Sequence, residues 1–165
     1  MGKIVKYGGY GLLTVMFIVA LFIANQFFQP YNTLRISLSL GPEPAQLVSQ
    51  GFTYRDLNKN QRLDVYENSQ ASTADRVEDL LSQMTLEEKV GQMMHPAITI
   101  EPNADLLIFH AAMGRSGLEE VDIVDNHISH FNFYGAPTPS QIATKLNRLQ
   151  KVAARTRLGV PLTFS

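Results

Sequence analysis

Apolar and polar positions divide this chain into three stretches of different character. The first is a nearly unbroken apolar run. From Tyr7 to Phe28 the sequence reads YGGYGLLTVMFIVALFIANQFF, with no charged side chain between Lys6 and Arg35. Gly8 to Phe28 as a helix is about 31 Å long at 1.5 Å per residue, enough for a bilayer core of roughly 30 Å. Lys3 and Lys6 stand before it, a bias that keeps the N-terminus in the cytoplasm. Tyr7, Tyr10, Phe27, Phe28 and Tyr31 put aromatics near both ends. The run therefore predicts a transmembrane helix that meets the lipid bilayer through residues 8–28. A cleaved signal peptide is the competing reading, although a cut after Ala24 would place bulky Phe22 at the third position back. Both readings export the remainder, to the periplasm or beyond the cell.

The second stretch, residues 32–51, has no strong period. Gly41-Pro42-Glu43-Pro44 interrupts any regular element and reads as a linker. Alternation at Leu34, Ile36, Leu38 and Leu40 leaves an edge strand as the alternative.

The third stretch carries helical and strand periods in turn. Ser72-Thr73-Ala74-Asp75 matches a capping box, and Val77, Leu80, Leu81 and Met84 follow on one face. Thr85-Leu86-Glu87-Glu88 is a second capping box, continued by Leu86, Val90 and Met93. Two short helices meeting near Thr85 account for both, with Glu87 and Glu88 as first-turn acids and Met84, Met93 and Met94 as core filler. Leu106 to Phe109 is a compact apolar run, a strand or a short buried helix, and Gly117 to Asp125 is an acidic helical turn. Ile128 to Tyr134 is rich in β-formers. Thr138-Pro139-Ser140-Gln141 then opens a helix whose apolar face is Ile142, Leu146, Leu149 and Ala153. Gly159 and Pro161 end it, and Leu162-Thr163-Phe164 begins another strand. Strand, helix, strand is a βαβ unit, and such units build parallel sheets.

Composition narrows the chemistry. With 165 residues the chain is too short for a closed (β/α)₈ barrel, which takes about 250. It has no cysteine, so disulfides, thiolate metal sites and cysteine nucleophiles are excluded. Net charge is −1, and all 15 acids lie after residue 35. No nucleic-acid partner is expected: the basic cluster Lys145, Arg148, Lys151, Arg155 and Arg157 lacks interleaved aromatics and reads as a solvated face with C-terminal helix charges. Glu119, Glu120, Asp122 and Asp125 read as a solvated acidic face. His127 and His130 are three apart, but a strand would point them to opposite faces.

One loop carries candidate metal chemistry. In Asp56 to Glu67, oxygen-bearing side chains fall at Asp56, Asn58, Asn60, Asp64 and Glu67, and Arg62 offers its backbone carbonyl. This spacing suits Ca²⁺, a hard cation that takes oxygen ligands. Gln61 stands where a calcium loop favours glycine. The alternative is a turn-rich loop whose Asp and Asn side chains bond to their own backbone. In either case the loop reads as a structural brace.

The residues Arg76 to Met93, then Gly135 to Pro139, Asn147 to Gln150 and Thr156 to Leu162, in that order, resemble family 3 glycoside hydrolases, the β-glucosidase-like enzymes. The Asp56 to Glu67 loop is similar to a segment found before the first helix in some members. The resemblance covers roughly residues 52–165. It implies an α/β fold, the N-terminal part of a (β/α)₈ TIM barrel preceded by the transmembrane helix. The domains are then 1–31 for the cytoplasmic stub and signal anchor, 32–51 for the linker, and 52–165 for an incomplete barrel. The activity implied is retaining, exo-acting hydrolysis of β-glucosides or oligosaccharides by two carboxyl groups. The positions that supply those groups in the family fall after Ser165, so no catalytic or substrate-binding residue is assigned and the 165 residues alone are expected to be inactive. No cofactor is required for catalysis; Ca²⁺ would be structural. The competing function is a non-enzymatic, membrane-tethered calcium-binding or interaction module.

Overall fold

The computed structural model describes residues 2–28, 30–49, 51–99, 119–134 and 137–165. The chain divides into two compact units, Met1–Arg35 with Asn103–Gly117, and Ile36–Pro102 with Leu118–Ser165. The Leu106 to Phe109 run lies outside the described residues.

In the first unit, helix α1 spans Gly2–Phe28. Leu12, Phe17 and Phe22 are all exposed. Among the described residues no helix is long and apolar enough to cross a membrane. This corrects the expected transmembrane helix. The almost wholly apolar part of α1, Leu12 to Ala24, covers only about 20 Å at 1.5 Å per residue, short of a hydrocarbon core of roughly 30 Å. Gly8, Gly9, Gly11, Asn25 and Gln26 dilute both of its ends. Helix α2 follows at Pro30–Ser39. Proline at its first position presets φ for a helix, and the edge strand considered for Leu34 to Leu40 is not formed.

The second unit opens with a hairpin. Strand β1 (Gln46–Ser49) pairs antiparallel with β2 (Phe52–Arg55). Gly51 turns it at φ +87°, a left-handed conformation that glycine adopts at no steric cost. The acidic loop follows and ends in a single 3₁₀ turn at Val65–Glu67. Helix α3 (Thr73–Gln83) starts at Ser72, whose Oγ accepts the Asp75 N–H. Helix α4 (Leu86–Gly91) starts at a full capping box between Thr85 and Glu88. Two short helices breaking at Thr85 are as the capping residues require.

Strands β3 (Ala97–Thr99), β4 (His130–Tyr134) and β5 (Thr163–Phe164) form a parallel sheet in the order β3-β4-β5. Helix α5 (Glu119–Val124) precedes β4. Helix α6 (Pro139–Ala154) joins β4 to β5 and is capped by Thr138 and Gln141. The βαβ unit read from the sequence is therefore present. A TIM barrel is not. The described strands make this three-stranded sheet and a separate two-stranded one, and neither closes on itself. Closure takes eight parallel strands with matched tilt and shear.

The core lies between the sheet and α6. Phe131 and Leu149 are fully buried, and Ile98, Ile123, Ile128, Ala153 and Leu162 pack with them. Phe131 and Phe164 stack with ring centroids 6.2 Å apart. The side chain of Gln150 braces helix to strand, donating to Leu162 O (2.8 Å) and accepting from Leu162 N (3.0 Å). The methionines divide. Met84 is buried as expected, but Met93 and Met94 are exposed, because α4 ends at Gly91 and the chain leaves its apolar face before reaching them.

Candidate functional site

Strand alternation gives the parallel sheet two faces. Ile98, Phe131, Leu162 and Phe164 point into the core. His130, Asn132, Thr163 and Ser165 share the opposite face, since His130 is in register with Thr163. On that face His130 Nδ1 lies 2.5 Å from Thr163 Oγ1, Ser165 Oγ donates to Asn132 Oδ1, and His95 Nε2 lies 3.4 Å from Ser165 Oγ. The His95 and His130 rings meet edge to face at 6.3 Å. The sequence spaced His130 against His127; the fold gives it His95, brought alongside by the segment that enters β3. This is a row of hydrogen-bonding groups without a carboxylate in any of its described contacts.

Several described carboxylates are engaged elsewhere. Glu119 pairs with Lys145 at 2.7 Å and Glu120 with Arg148 at 2.9 Å. Glu119 and Glu120 of the acidic face expected on α5 are therefore ion-paired, with Lys145 and Arg148 of α6 as their partners, while Asp125 is exposed. Among the described residues, Glu120 Oε2 is buried without a hydrogen-bond partner. Asp79 accepts the Tyr66 N–H at 2.9 Å. Glu88 is buried and accepts from Arg157 Nε (3.0 Å), from Arg157 Nη2 and from the Thr85 N–H (2.9 Å). Burial alone would raise its pKa, but the Arg157 guanidinium and the Thr85 N–H outweigh burial and hold the carboxyl below the usual range. A cavity of about 320 Å³ opens beside this pair, lined also by Gln92, His127, Ser129 and Leu162. Ser129 Oγ donates to Gln92 Oε1, and Gln92 Nε2 donates to His127 O at 2.7 Å. The cavity walls are thus mutually bonded.

The acidic loop gathers all six residues singled out in the sequence. The carboxylate of buried Asp56 accepts the Asn60 and Gln61 N–H groups, both at 3.0 Å. Buried Glu67 accepts from Leu57 N (2.6 Å), Asn58 N (3.4 Å) and Asp64 N (3.2 Å). Asp64 Oδ2 accepts the side-chain amides of Asn58 (2.7 Å) and Asn60 (2.6 Å). Arg62 is exposed and reaches Asp64 at 3.8 Å. Gln61 adopts φ 62°, the left-handed conformation for which glycine is favoured, and so does Lys59. Burial pushes the Glu67 carboxyl up against the downward pull of its three N–H donors. As placed, the oxygens of Asp56, Asp64 and Glu67 face N–H donors, and among the described residues no group of three or more His, Asp or Glu is set to hold a metal ion. The arrangement is that of a self-bonded loop. Lys59 was not singled out by the sequence: its Nζ donates to Ala154 O (2.9 Å) and Thr156 O (2.5 Å), partners 95 and 97 residues away.

Comparison with known proteins gives the chemistry a context. The chain is 36% identical over 140 residues to a periplasmic β-glucosidase/β-xylosidase of Dickeya chrysanthemi, covering 84% of this chain and 21% of the relative. It is 39% identical over 111 residues to β-glucosidase C of Emericella nidulans, covering 67% and 17%. A probable β-glucosidase C of Aspergillus oryzae is 33% identical over 121 residues, covering 72% and 18%. No family model matches the chain. These similarities class the chain with glycoside-hydrolase-like sequences. The family it resembles, over part of that family's length, is glycoside hydrolase family 3, β-glucosidase-like. The chain spans about a fifth of the length of these curated relatives.

Proposed function

We propose that this chain is the scaffold portion of a retaining, exo-acting β-glucosidase-type hydrolase, and that its 165 residues do not hydrolyse glycosides by themselves. The observation that carries the reading is the 36% identity over 140 residues to a β-glucosidase/β-xylosidase. Its substrates would be β-glucosides, β-xylosides or short oligosaccharides. The proposal of inactivity is supported by the engagement of several described carboxylates. A retaining glycosidase needs two carboxyl groups about 5–5.5 Å apart and open to a sugar. Here Glu88, Glu119 and Glu120 face arginine or lysine, and Asp56 and Glu67 face backbone N–H groups.

The domain is proposed to work outside the cytoplasm. Support comes from a relative named as periplasmic. The test is incubation of the purified chain with chromogenic aryl β-glucoside and β-xyloside. No rate above a protein-free blank is expected. A rate that scales with protein concentration would overturn the proposal of inactivity.

A further inference from the structure

Residues from well before the parallel sheet converge on a single turn, the one between α6 and β5. The last carbonyls of a helix have no partner within it, and at the end of α6 Lys59 supplies one: Nζ donates to Ala154 O at 2.9 Å and to Thr156 O at 2.5 Å. A cation is favoured there by the helix dipole as well. Tyr66, at the other end of the same loop, donates its hydroxyl to Leu158 O at 3.2 Å. Between them, Gly159 takes φ +59° with Leu57 O only 3.0 Å from where a Cβ would stand. Three points of one loop thus grip three points of one turn. The loop is stiff, because Asp56 and Glu67 tie its two ends through five N–H groups.

Beyond the Gln150 brace on Leu162 and the packing of Leu162 and Phe164, the strand that this turn delivers has little to hold itself. β5 is two residues long. Its ladder rests on Thr163 N to Ser129 O (2.8 Å), Ser165 N to Phe131 O (3.0 Å) and Phe133 N to Ser165 O (3.2 Å). We infer that the Asp56–Glu67 loop is an internal clamp, with Lys59 its positioning residue, that seats the α6–β5 turn and so keeps β5 in register on β4. The polar row at Thr163 and Ser165 depends on that register, because a slip of one residue turns each side chain to the other face.

Amide hydrogen exchange on the intact chain tests the clamp residue by residue. Lys59→Met keeps the apolar stem and removes the cation. It is expected to speed exchange at Thr163 and Ser165 by about tenfold while amides in the middle of α6, Leu146 to Gln150, keep their protection. Lys59→Arg restores the cation and is expected to restore protection. Tyr66→Phe removes only the hydroxyl and is expected to give a smaller acceleration at the same two amides. Should Lys59→Met fail to fold, the pair Tyr66→Phe and Lys59→Arg decides. The clamp is overturned if Thr163 and Ser165 exchange at wild-type rates in Lys59→Met, or in Tyr66→Phe where that variant decides. Equal acceleration throughout α6 and β4 would overturn it too, since that marks general loss of stability.

Discussion

Substituting Glu88 by glutamine tests how this fold spends its carboxylates. Glu88 starts α4 as a cap and ends as an anchor, reaching Arg157 beyond the end of α6. The glutamate side chain is 10% exposed and the arginine 53%. Breaking a fully buried ion pair costs about 3–5 kcal/mol. Solvent on the arginine side screens part of that, so the expected cost here is about 2 kcal/mol, in line with charged hydrogen bonds of roughly 1.5–3 kcal/mol. For a unit of this size that lowers the melting temperature by roughly 8 °C. Urea unfolding followed by far-ultraviolet circular dichroism measures it at pH 7. The pH dependence carries the sign. The folded-state pKa of Glu88 is lowered from 4.5, so its contribution is present above the unfolded value and is lost as pH falls through the folded one. The gap between wild type and Glu88→Gln should therefore close on the acid side of 4.5. In a double-mutant cycle, Glu88→Gln and Arg157→Ala should be strongly non-additive. A Glu88→Gln cost below about 0.5 kcal/mol, as for an exposed pair, would refute the reasoning.

Two further outcomes concern single positions, Gly91 and Gln61, and a third the acidic loop. A Cβ at Gly91 would stand 2.6 Å from the His127 carbonyl oxygen, so Gly91→Ala should cost about 2–3 kcal/mol in the same urea assay. Gln61 holds φ 62° without being glycine, and Gln61→Gly should raise stability by about 1 kcal/mol, read as a higher urea midpoint at unchanged slope. The acidic loop is bonded through its own N–H groups, so millimolar EDTA or Ca²⁺ should leave the melting temperature of the chain unchanged; a rise with Ca²⁺ would support the metal reading of Asp56, Asn58, Asn60, Arg62, Asp64 and Glu67.

What the sequence disclosed was mostly local. Thr138, Pro139 and Gln141 mark the start of α6 because a capping box is written within four residues. Ser72 and Thr85 do the same for α3 and α4. The run of β-formers placed β4 within two residues. Features that depend on distant partners were not legible. Glu119 and Glu120 looked solvated until α6 brought Lys145 and Arg148 to them. Met93 fits the helical period of α4, yet the helix stops two residues short of it, and it is exposed. Nothing near Lys59 announces that it caps a helix end 95 residues later. The loop reading came through in part. Its residues do cluster, and the sequence located them by spacing, but spacing does not say whether carboxylate oxygens meet a cation or an N–H group. Glu67 illustrates the difficulty. A carboxyl raised by burial resembles a catalytic acid by its titration alone, whereas its three N–H donors identify it as a brace.

The central proposal is that this chain, in which Glu88, Glu119 and Glu120 are ion-paired and Asp56 and Glu67 accept backbone N–H groups, does not attack sugars by itself. The most direct measurement is covalent trapping. A retaining glycosidase forms a glycosyl-enzyme ester on its nucleophile, and an activated 2-deoxy-2-fluoro-glucoside makes that ester long-lived. After incubation with this reagent, the intact mass of the purified chain is expected to be unchanged. An added 2-deoxy-2-fluoroglucosyl mass, mapped by peptide sequencing to one aspartate or glutamate, would contradict the claim.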